Sequence, residues 1–376
     1  MSGAISSALI VGGGIAGLVC ARALALQGIR VVLLERKSVI TDEGGIGIGL
    51  QSNAMNALGE VGLARACLEN GVPVDMITVC APDGSPISSR PTERYCNSPW
   101  PGYTGISRAT LHAILVEGAA AAGAALVSDA EVLNVTQDGT SATAVLRDGR
   151  RYSADLLVGA DGIHSRVRAV VVPDRAQVVS LAEGVWRGLI EGVQLHDVCM
   201  MFGGPVGTIG YCPLQGDTYL YVVDRNSMAP ARDEPALAAR LIERIASVRG
   251  FPARLLPHLS HRPGDVTYRP LVVVRLSKPW YSGRVVLIGD AAHAGPPTLA
   301  QGAAMGLEDA VVLAQCAAQS DDLAVSLDAF MRRRYERVRS IVEASVTISQ
   351  AQMEPHGQPK MAEAQKAAAA TLANPY

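Results

Sequence analysis

The 376-residue chain is 49% hydrophobic and 18% charged, with a net charge of −2, the balance of a globular chain and not of a disordered one. No block of Lys or Arg marks a nucleic-acid or anionic-membrane surface, and no uninterrupted apolar run is long enough to span a bilayer. A small molecule is therefore the expected partner, with neither nucleic acid nor membrane.

In chain order, SALIVGGG (7–14) reads as a short buried strand entering a glycine turn. AGLVCARALALQG (16–28) reads as a helix closed by Gly28, and IRVVLLER (29–36) as a second buried strand. That is a βαβ unit, the kernel of a parallel sheet. Residues 72–90 alternate in short segments around a PDGSP turn, and 91–102 form a Pro-rich loop. SRATLHAILVEGAAAAG (107–123) returns to helical spacing, and three β-like segments then end in the apolar strand ADLLVGADG (154–162). From about residue 178 an antiparallel meander is expected, then a helix over 234–249 and one more strand, VTYRPLVVVRL. GRVVLIGDAAH (283–293) reads as a strand returning to the first sheet. The remainder reads as helical, with the Ala-rich tail MAEAQKAAAATLA as a peripheral helix. The fold class is α/β, a Rossmann-like domain joined to a mixed, mostly antiparallel sheet domain. The first is assigned residues 1–71, 103–175 and 277–345, the second 72–102 and 176–276, and a helical tail 346–376.

The seven cysteines are scattered without a C-x-x-C pair. That spacing points to free thiols in a reducing compartment, the cytoplasm by default, and away from a disulfide frame or zinc site.

Gly12-x-Gly14-x-x-Gly17 follows the first strand directly and opens the helix, with Ile15 and Ala16 between the glycines and Glu35-Arg36 ending the next strand. Gly12 allows the tight turn, Gly14 a close approach by a pyrophosphate, and Gly17 close packing of helix on strand. The helix N-terminus offers N–H groups to the phosphates, and the Glu35 carboxylate can accept from ribose hydroxyls. In GGIGIGLQSNAMNALGEVGL (44–63), glycines including Gly47 imply a backbone lying flat against a ligand. GDAAHAGPPTLAQGAAM (289–305) leaves two readings open. Asp290 and His293 form a metal or acid/base pair, or the small residues mean that the backbone does the work.

Three separated motifs, the Gly12–Glu35 fingerprint, DLLVGADGIHSRVR (155–168) and GRVVLIGDAAHAGPPTLAQGAAMGLEDA (283–310), occur in one order. With them the chain, to about residue 345, resembles the single-component FAD-dependent aromatic hydroxylases typified by p-hydroxybenzoate, salicylate and 6-hydroxynicotinate hydroxylases. The resemblance implies that family's fold, FAD as cofactor and NADH or NADPH as co-substrate. NAD(P)H would reduce the flavin, and O2 would give a C4a-hydroperoxide that hydroxylates a small aromatic or N-heteroaromatic substrate. A single G-x-G-x-x-G matches a group in which the nicotinamide binds transiently over the same flavin.

The same resemblance implies roles for residues. Arg108 reaches toward the FAD phosphates and ribose, and Asp161 belongs to the cofactor region, its side chain mostly holding the local fold. Arg166 and Arg168 fit the same segment, or are surface charges. Asp290 accepts from the ribityl hydroxyls, and the loop through Pro297 runs beside the isoalloxazine ring. Gln301, Gly302 and Ala303 begin a helix aimed at the pyrimidine edge. Glu308 and Asp309 cap and pack, and His293 fixes the loop by a hydrogen bond, with no metal implied. Ala300 and Ala304 depart from the family's usual Gly and Asn. The substrate is placed between flavin and meander, where Tyr211, Tyr219 and Arg187 are the catalytic candidates. Arg187 equally fits a strand-edge charge, and for each tyrosine core packing is the weightier reading. Gly49 stands where the 6-hydroxynicotinate type has histidine, which weighs against a pyridine carboxylate. Other flavin reactions stay open: N-hydroxylation, epoxidation, antibiotic modification, or an O2-excluding reductase. So does the assembly, monomer or homodimer.

Overall fold

The computed structural model describes residues 5–40, 46–81, 83–173, 177–204, 207–224, 234–246, 248, 251–352, 354 and 356–376. The chain opens with β1 (Ser7–Val11), α1 (Ile15–Leu26) and β2 (Arg30–Leu34), followed by β3 (Gly47–Gln51), α2 (Ser52–Glu60) and α3 (Ala64–Glu69). Next come β4 (Val72–Val74), β5 (Met76–Cys80), β6 (Pro86–Pro91), β7 (Tyr103–Ser107), α4 (Arg108–Ala121) and β8 (Ala125–Val127). A small antiparallel sheet, β9 (Val132–Gln137), β10 (Ala142–Leu146) and β11 (Arg151–Ala154), leads to β12 (Leu156–Gly159) and α5 (Arg168–Val171). The meander is β13 (Gln177–Ile190), β14 (Val198–Gly204), β15 (Gly207–Pro213) and β16 (Thr218–Asp224). After it come α6 (Glu234–Ile245), α7 (Phe251–Leu255) and β17 (Val266–Arg275). β18 (Tyr281–Ser282), β19 (Val285–Leu287), α8 (Asp290–His293), α9 (Gly302–Gln319), α10 (Leu323–Ala351) and α11 (Gln358–Leu372) complete it.

The first sheet has the order β18-β19-β12-β1-β2-β8, parallel except at β18. Its central strands β1, β12 and β19 are buried on both faces, as the unbroken apolar runs ALIV, LLV and VVL require. α1 packs against α4 and α9. The turn into α1 has no room for side chains at two points. Gly12 has φ +110°, and a Cβ on Gly17 would stand 2.0 Å from the Gly12 carbonyl oxygen.

The second large sheet runs β17-β13-β16-β15-β14-β5-β6. β5 joins β14 in parallel, so the segment after α3 contributes to the meander from the far side of the sequence. β4 does not join it. It pairs with β7, which also pairs with β3 in a three-stranded sheet, so the expected 72–102 segment divides between two sheets.

Period-2 alternation gives the large sheet two distinct faces. On the rear, Trp186, Tyr211, Leu220 and Val222 form a core with Leu237, Leu241 and Ile245 of α6. On the front, Val198, Cys212 and Tyr219 pack with Ile46, Val74 and Tyr103 beside the three-stranded sheet. This front contact brings the large and the three-stranded sheets together.

The tail is docked. α11 packs along α10, and Arg337 donates to the carbonyls of Thr371 and Asn374 at 2.7 and 2.8 Å. Among the described residues no helix is long and apolar enough to cross a membrane.

Because a methyl group at residue 17 meets backbone and not a movable side chain, Gly17→Ala is expected to destabilise the fold by about 3 kcal/mol. Urea unfolding of the variant beside the parent measures this.

Candidate cofactor and substrate site

The nucleotide end is built at the C-terminal edge of β1 and β2. The first-turn N–H groups of α1 have no helical partner, the first intrahelical bond being Leu18 N–H to the Gly14 carbonyl at 2.9 Å. A Cβ on Gly14 would meet nothing within 4 Å, and the residue is exposed. Ile15 and Ala16 are half-buried beside it. Glu35 accepts from the Gly13 N–H at 2.7 Å and the Lys37 N–H at 3.0 Å. Buried His112 bonds the Gly13 carbonyl at 2.8 Å and fixes the turn from below. Arg36 is exposed, and Arg108 is half-buried at the first position of α4. Asp161 accepts the Arg166 and Val167 N–H groups at 2.7 and 3.2 Å through one oxygen. Its other oxygen is buried without a partner among the described residues. Open space at Gly14, unpaired amides and this orphaned oxygen are what a dinucleotide cofactor would fill, so the residues fit FAD.

The two arginines beyond Asp161 part company. Arg166 makes an exposed pair with Glu131, whereas Arg168 is buried and donates to the carbonyls of Ile163 and Ala291 at 2.7 and 3.0 Å. Arg168 is a structural clamp on α8, not a surface charge.

The 289–305 stretch resolves into two halves. Asp290 begins the one-turn helix α8 with an exposed side chain. His293 points into the core and bonds Asp309 at 2.5 Å. The two are therefore not an acid/base pair. Among the described residues no cluster of three or more His, Cys, Asp or Glu is placed to hold a metal. Pro297 is exposed at the start of a 3-10 turn, and Gly302 and Ala303 open α9 toward solvent. The side chain of Gln301 turns inward, between Gln51 at 2.8 Å and Asn53 at 2.9 Å. The Gln301 side chain thus locks β3 to the start of α9. Ala300, in place of the usual Gly, sits at φ +52° and ψ +32°, the left-handed region that strains a side chain.

Behind this loop lies a buried charge network that spacing alone does not reveal. Asp309 accepts from Gly289 N–H at 3.0 Å, from His293 and from Arg334 at 2.7 Å. Glu308 accepts from Arg334 at 2.5 Å, Arg337 at 2.7 Å and Asn53 at 2.8 Å. Burial alone would raise the Asp309 carboxyl, but the His293 and Arg334 charges, with hydrogen bonds from His293 and Gly289, hold it at about 2. A half-open cleft of about 360 Å³ between the end of β17 and α10, lined by Leu276, Trp280, His293 and Tyr335 among others, borders this network. None of the expected cofactor residues lines it.

The front face carries the substrate candidates. Tyr219 lies across β3, where a Cβ on Gly47 would come within 2.6 Å of the Tyr219 Cβ. The Gly47 backbone therefore lies flat against a tyrosine ring. Gly49 does the same for Tyr103, where a Cβ would fall 1.7 Å from the hydroxyl. Burial raises the Tyr219 hydroxyl pKa, and the Arg187 charge and hydrogen bond with the nearby Arg108 charge pull it partway back. It stays protonated at neutral pH and is a donor, not a base. Tyr221 stands next to it, ring centroids 5.8 Å apart, and directly across from Arg187. Tyr211 is on the opposite face, 1% exposed, in the core under α6. The structure does not bring it together with Tyr219 and Arg187, because odd and even positions of β15 face opposite ways.

Comparison with known proteins gives the same assignment. Residues 6–345 match the family described as FAD binding domain. The chain belongs to that family, and it is an FAD-dependent monooxygenase. It is 36% identical over 350 residues to 2-heptyl-3-hydroxy-4(1H)-quinolone synthase of Pseudomonas aeruginosa, covering 90% of this chain and 87% of that one. It is 31% identical over 351 residues to 3-hydroxybenzoate 6-hydroxylase 1 of Aquipseudomonas alcaligenes, covering 89% and 86%. Its fold is similar to Klebsiella pneumoniae HpxO complexed with FAD and uric acid, with a TM-score of 0.85 at 22% identity, covering 97% and 96%.

Three outcomes follow for this monooxygenase. The Asp309 carboxyl is depressed when folded, so its contribution is complete above its ordinary value near 4 and is lost as pH falls toward 2. Acid titration of stability should therefore be steeper in that window for the parent than for Asp309→Asn. Arg334→Met strands two buried carboxylates and is expected to cost about 3–5 kcal/mol at neutral pH, whereas Ala300→Gly should gain about 1 kcal/mol by relieving the left-handed alanine. Denaturant midpoints read both.

Proposed function

We propose that this monooxygenase uses NADH or NADPH and O2 to hydroxylate a small aromatic or N-heteroaromatic substrate bound on the front face of the large sheet. FAD, when bound, supplies the redox and oxygen-activating chemistry. In this reading Gly12, Gly14, Ile15, Ala16, Gly17 and Glu35 take the ADP half, with Arg36 at its edge, Arg108 toward the phosphates and ribose, and Asp161 in the same cofactor region with its side chain mostly holding the local fold. Asp290 takes the ribityl chain. The Pro297 loop, Gly47 and the backbone of Gln301, Gly302 and Ala303 border the ring. The amides opening α9 favour negative charge there without spending a side chain.

The observation that carries the substrate reading is the Arg187–Tyr219 pair set against β3. It is a polar couple beside the apolar Val185, Leu189, Val198, Tyr221 and Cys212, on a face that also carries Thr208 and Thr267. A neutral Tyr219 hydroxyl, polarised by Arg187, orients a ring oxygen, and the surrounding apolar wall holds the ring and excludes water. The relatives named for a heptyl-quinolone and a hydroxybenzoate both act on ring systems bearing oxygen, which agrees with one polar anchor on an apolar wall. We place the enzyme in the cytoplasm, as monomer or homodimer.

A panel of phenols, hydroxybenzoates and quinolones, scored for NAD(P)H oxidation, O2 uptake and product mass, tests this. The expected productive compound consumes all three reactants equally and gains one oxygen; rapid oxidation of NAD(P)H under nitrogen with another acceptor would sink the proposal. With that compound, Arg187→Met should lower kcat/KM roughly 10- to 100-fold, the worth of a charged hydrogen bond, with flavin content unchanged.

A further inference from the structure

Two of the seven cysteines meet. The Cys80 and Cys199 sulfurs are 3.3 Å apart, although the residues are separated by 119 positions. The parallel register of β5 and β14 sets Cys199 beside Thr78 and Met201 beside Cys80. The thiols are thus diagonal neighbours on one face, the rear. The β5–β6 ladder shifts register between Val79 and Cys80, an irregularity of the kind that re-aims a side chain. Among the described residues no second cysteine pair shows such a contact; Cys20, Cys67, Cys212 and Cys316 are buried and Cys96 is exposed.

We infer that Cys80 and Cys199 form a dithiol oxidation site at which hydrogen peroxide closes an internal disulfide. Peroxide is the two-electron oxidant that reduced flavin and O2 yield when no substrate takes the oxygen, yet the site itself needs only peroxide. Half-exposed Cys199 is the first to react, and Cys80, 5% exposed, resolves. The Cys199 sulfur attacks peroxide, an S–O bond forms as the O–O bond breaks, and the departing hydroxide leaves as water with the thiol proton. The Cys80 sulfur then displaces hydroxide from the sulfenic acid, forming the S–S bond and a second water with its own proton. Two thiols lose two electrons and one peroxide gains them. The sulfurs need to approach by only a little over 1 Å, roughly, to reach bonding distance.

Burial, with the adjoining Cys80 thiol and the Asp197 charge, pushes the Cys199 thiol up to about 12. Attack is therefore slow, and the site records sustained peroxide and not brief exposure. The bond joins β5 to β14 directly behind Val198 and Met200, which face the front. Oxidation stiffens the wall on which the substrate is proposed to lie.

Reduced, desalted holoenzyme treated with reagent hydrogen peroxide, then denatured, alkylated and digested, tests this without any turnover. Two of the seven thiols should become unavailable, the intact mass should fall by two hydrogens, and a Cys80–Cys199 cross-linked peptide should appear, all reversed by dithiothreitol. In Cys80→Ser, Cys199 should stop as a sulfenic acid trapped by dimedone; in Cys199→Ser, Cys80 should stay alkylatable. Retention of the flavin spectrum shows each variant folded. The inference is overturned if both positions stay alkylatable while exposed Cys96 is consumed, or if Cys199 proceeds to sulfinic acid with no cross-link.

Discussion

One buried carboxylate holds the cofactor side of this enzyme together. Asp309 sits inside α9, yet its oxygens reach Gly289 at the end of the first sheet, His293 in α8 and Arg334 in α10. Three separate elements are thereby referenced to one point. Taking such a charge out of water is costly, and the outlay is recovered only because both oxygens are fully engaged and a guanidinium lies alongside. What the arrangement provides is position. The residue after Gly289 is Asp290, the candidate ribityl contact, so the rear of the loop is fixed by ions while its front stays open. Glu308 repeats the device one residue earlier, joining α10 to Asn53 and, through Gln301, to β3.

The large sheet solves a different problem. Its rear is an ordinary apolar core closed by α6, and its front meets the three-stranded sheet while carrying the Arg187–Tyr219 pair. A strand's period of two lets one segment serve both purposes. β13 sends Trp186 back and Arg187 forward; β15 sends Tyr211 back and Cys212 forward. Polar function on one side costs the other side nothing.

Much of this was legible in the residues because it is local. The βαβ turn, Glu35 at the end of its second strand, the return of 285–287 to the first sheet and the antiparallel meander all follow from patterns within a dozen neighbours. The three motifs in order carried the family and the cofactor. What could not be read was long-range pairing. Nothing in RRRYERVRS tells Arg334 and Arg337 from their exposed neighbours, because the distinction lies in which face of α10 meets α9. The junction of β5 with β14, the docking of α11 and the contact of Cys80 with Cys199 are likewise matters of register between distant segments. The place of Tyr211 on the rear face is legible in the strand period, since alternation sets it opposite Cys212. The glycines of 47–49 were read as flat, and they are, but against tyrosines.

The Gly47–Tyr219 contact makes β3 and the large sheet inherit one another's changes. Tyr219 occupies the space where a side chain at residue 47 would begin, and Tyr103 does the same at residue 49. Any lineage that enlarges residue 47 must first shrink residue 219, so these positions are expected to drift as pairs across relatives. The reverse order is free: residue 219 can become smaller while 47 remains glycine, leaving a gap that a bulkier substrate can enter. Diversification of the pocket is thus a one-way gate, opened from the sheet and closed from the strand facing it.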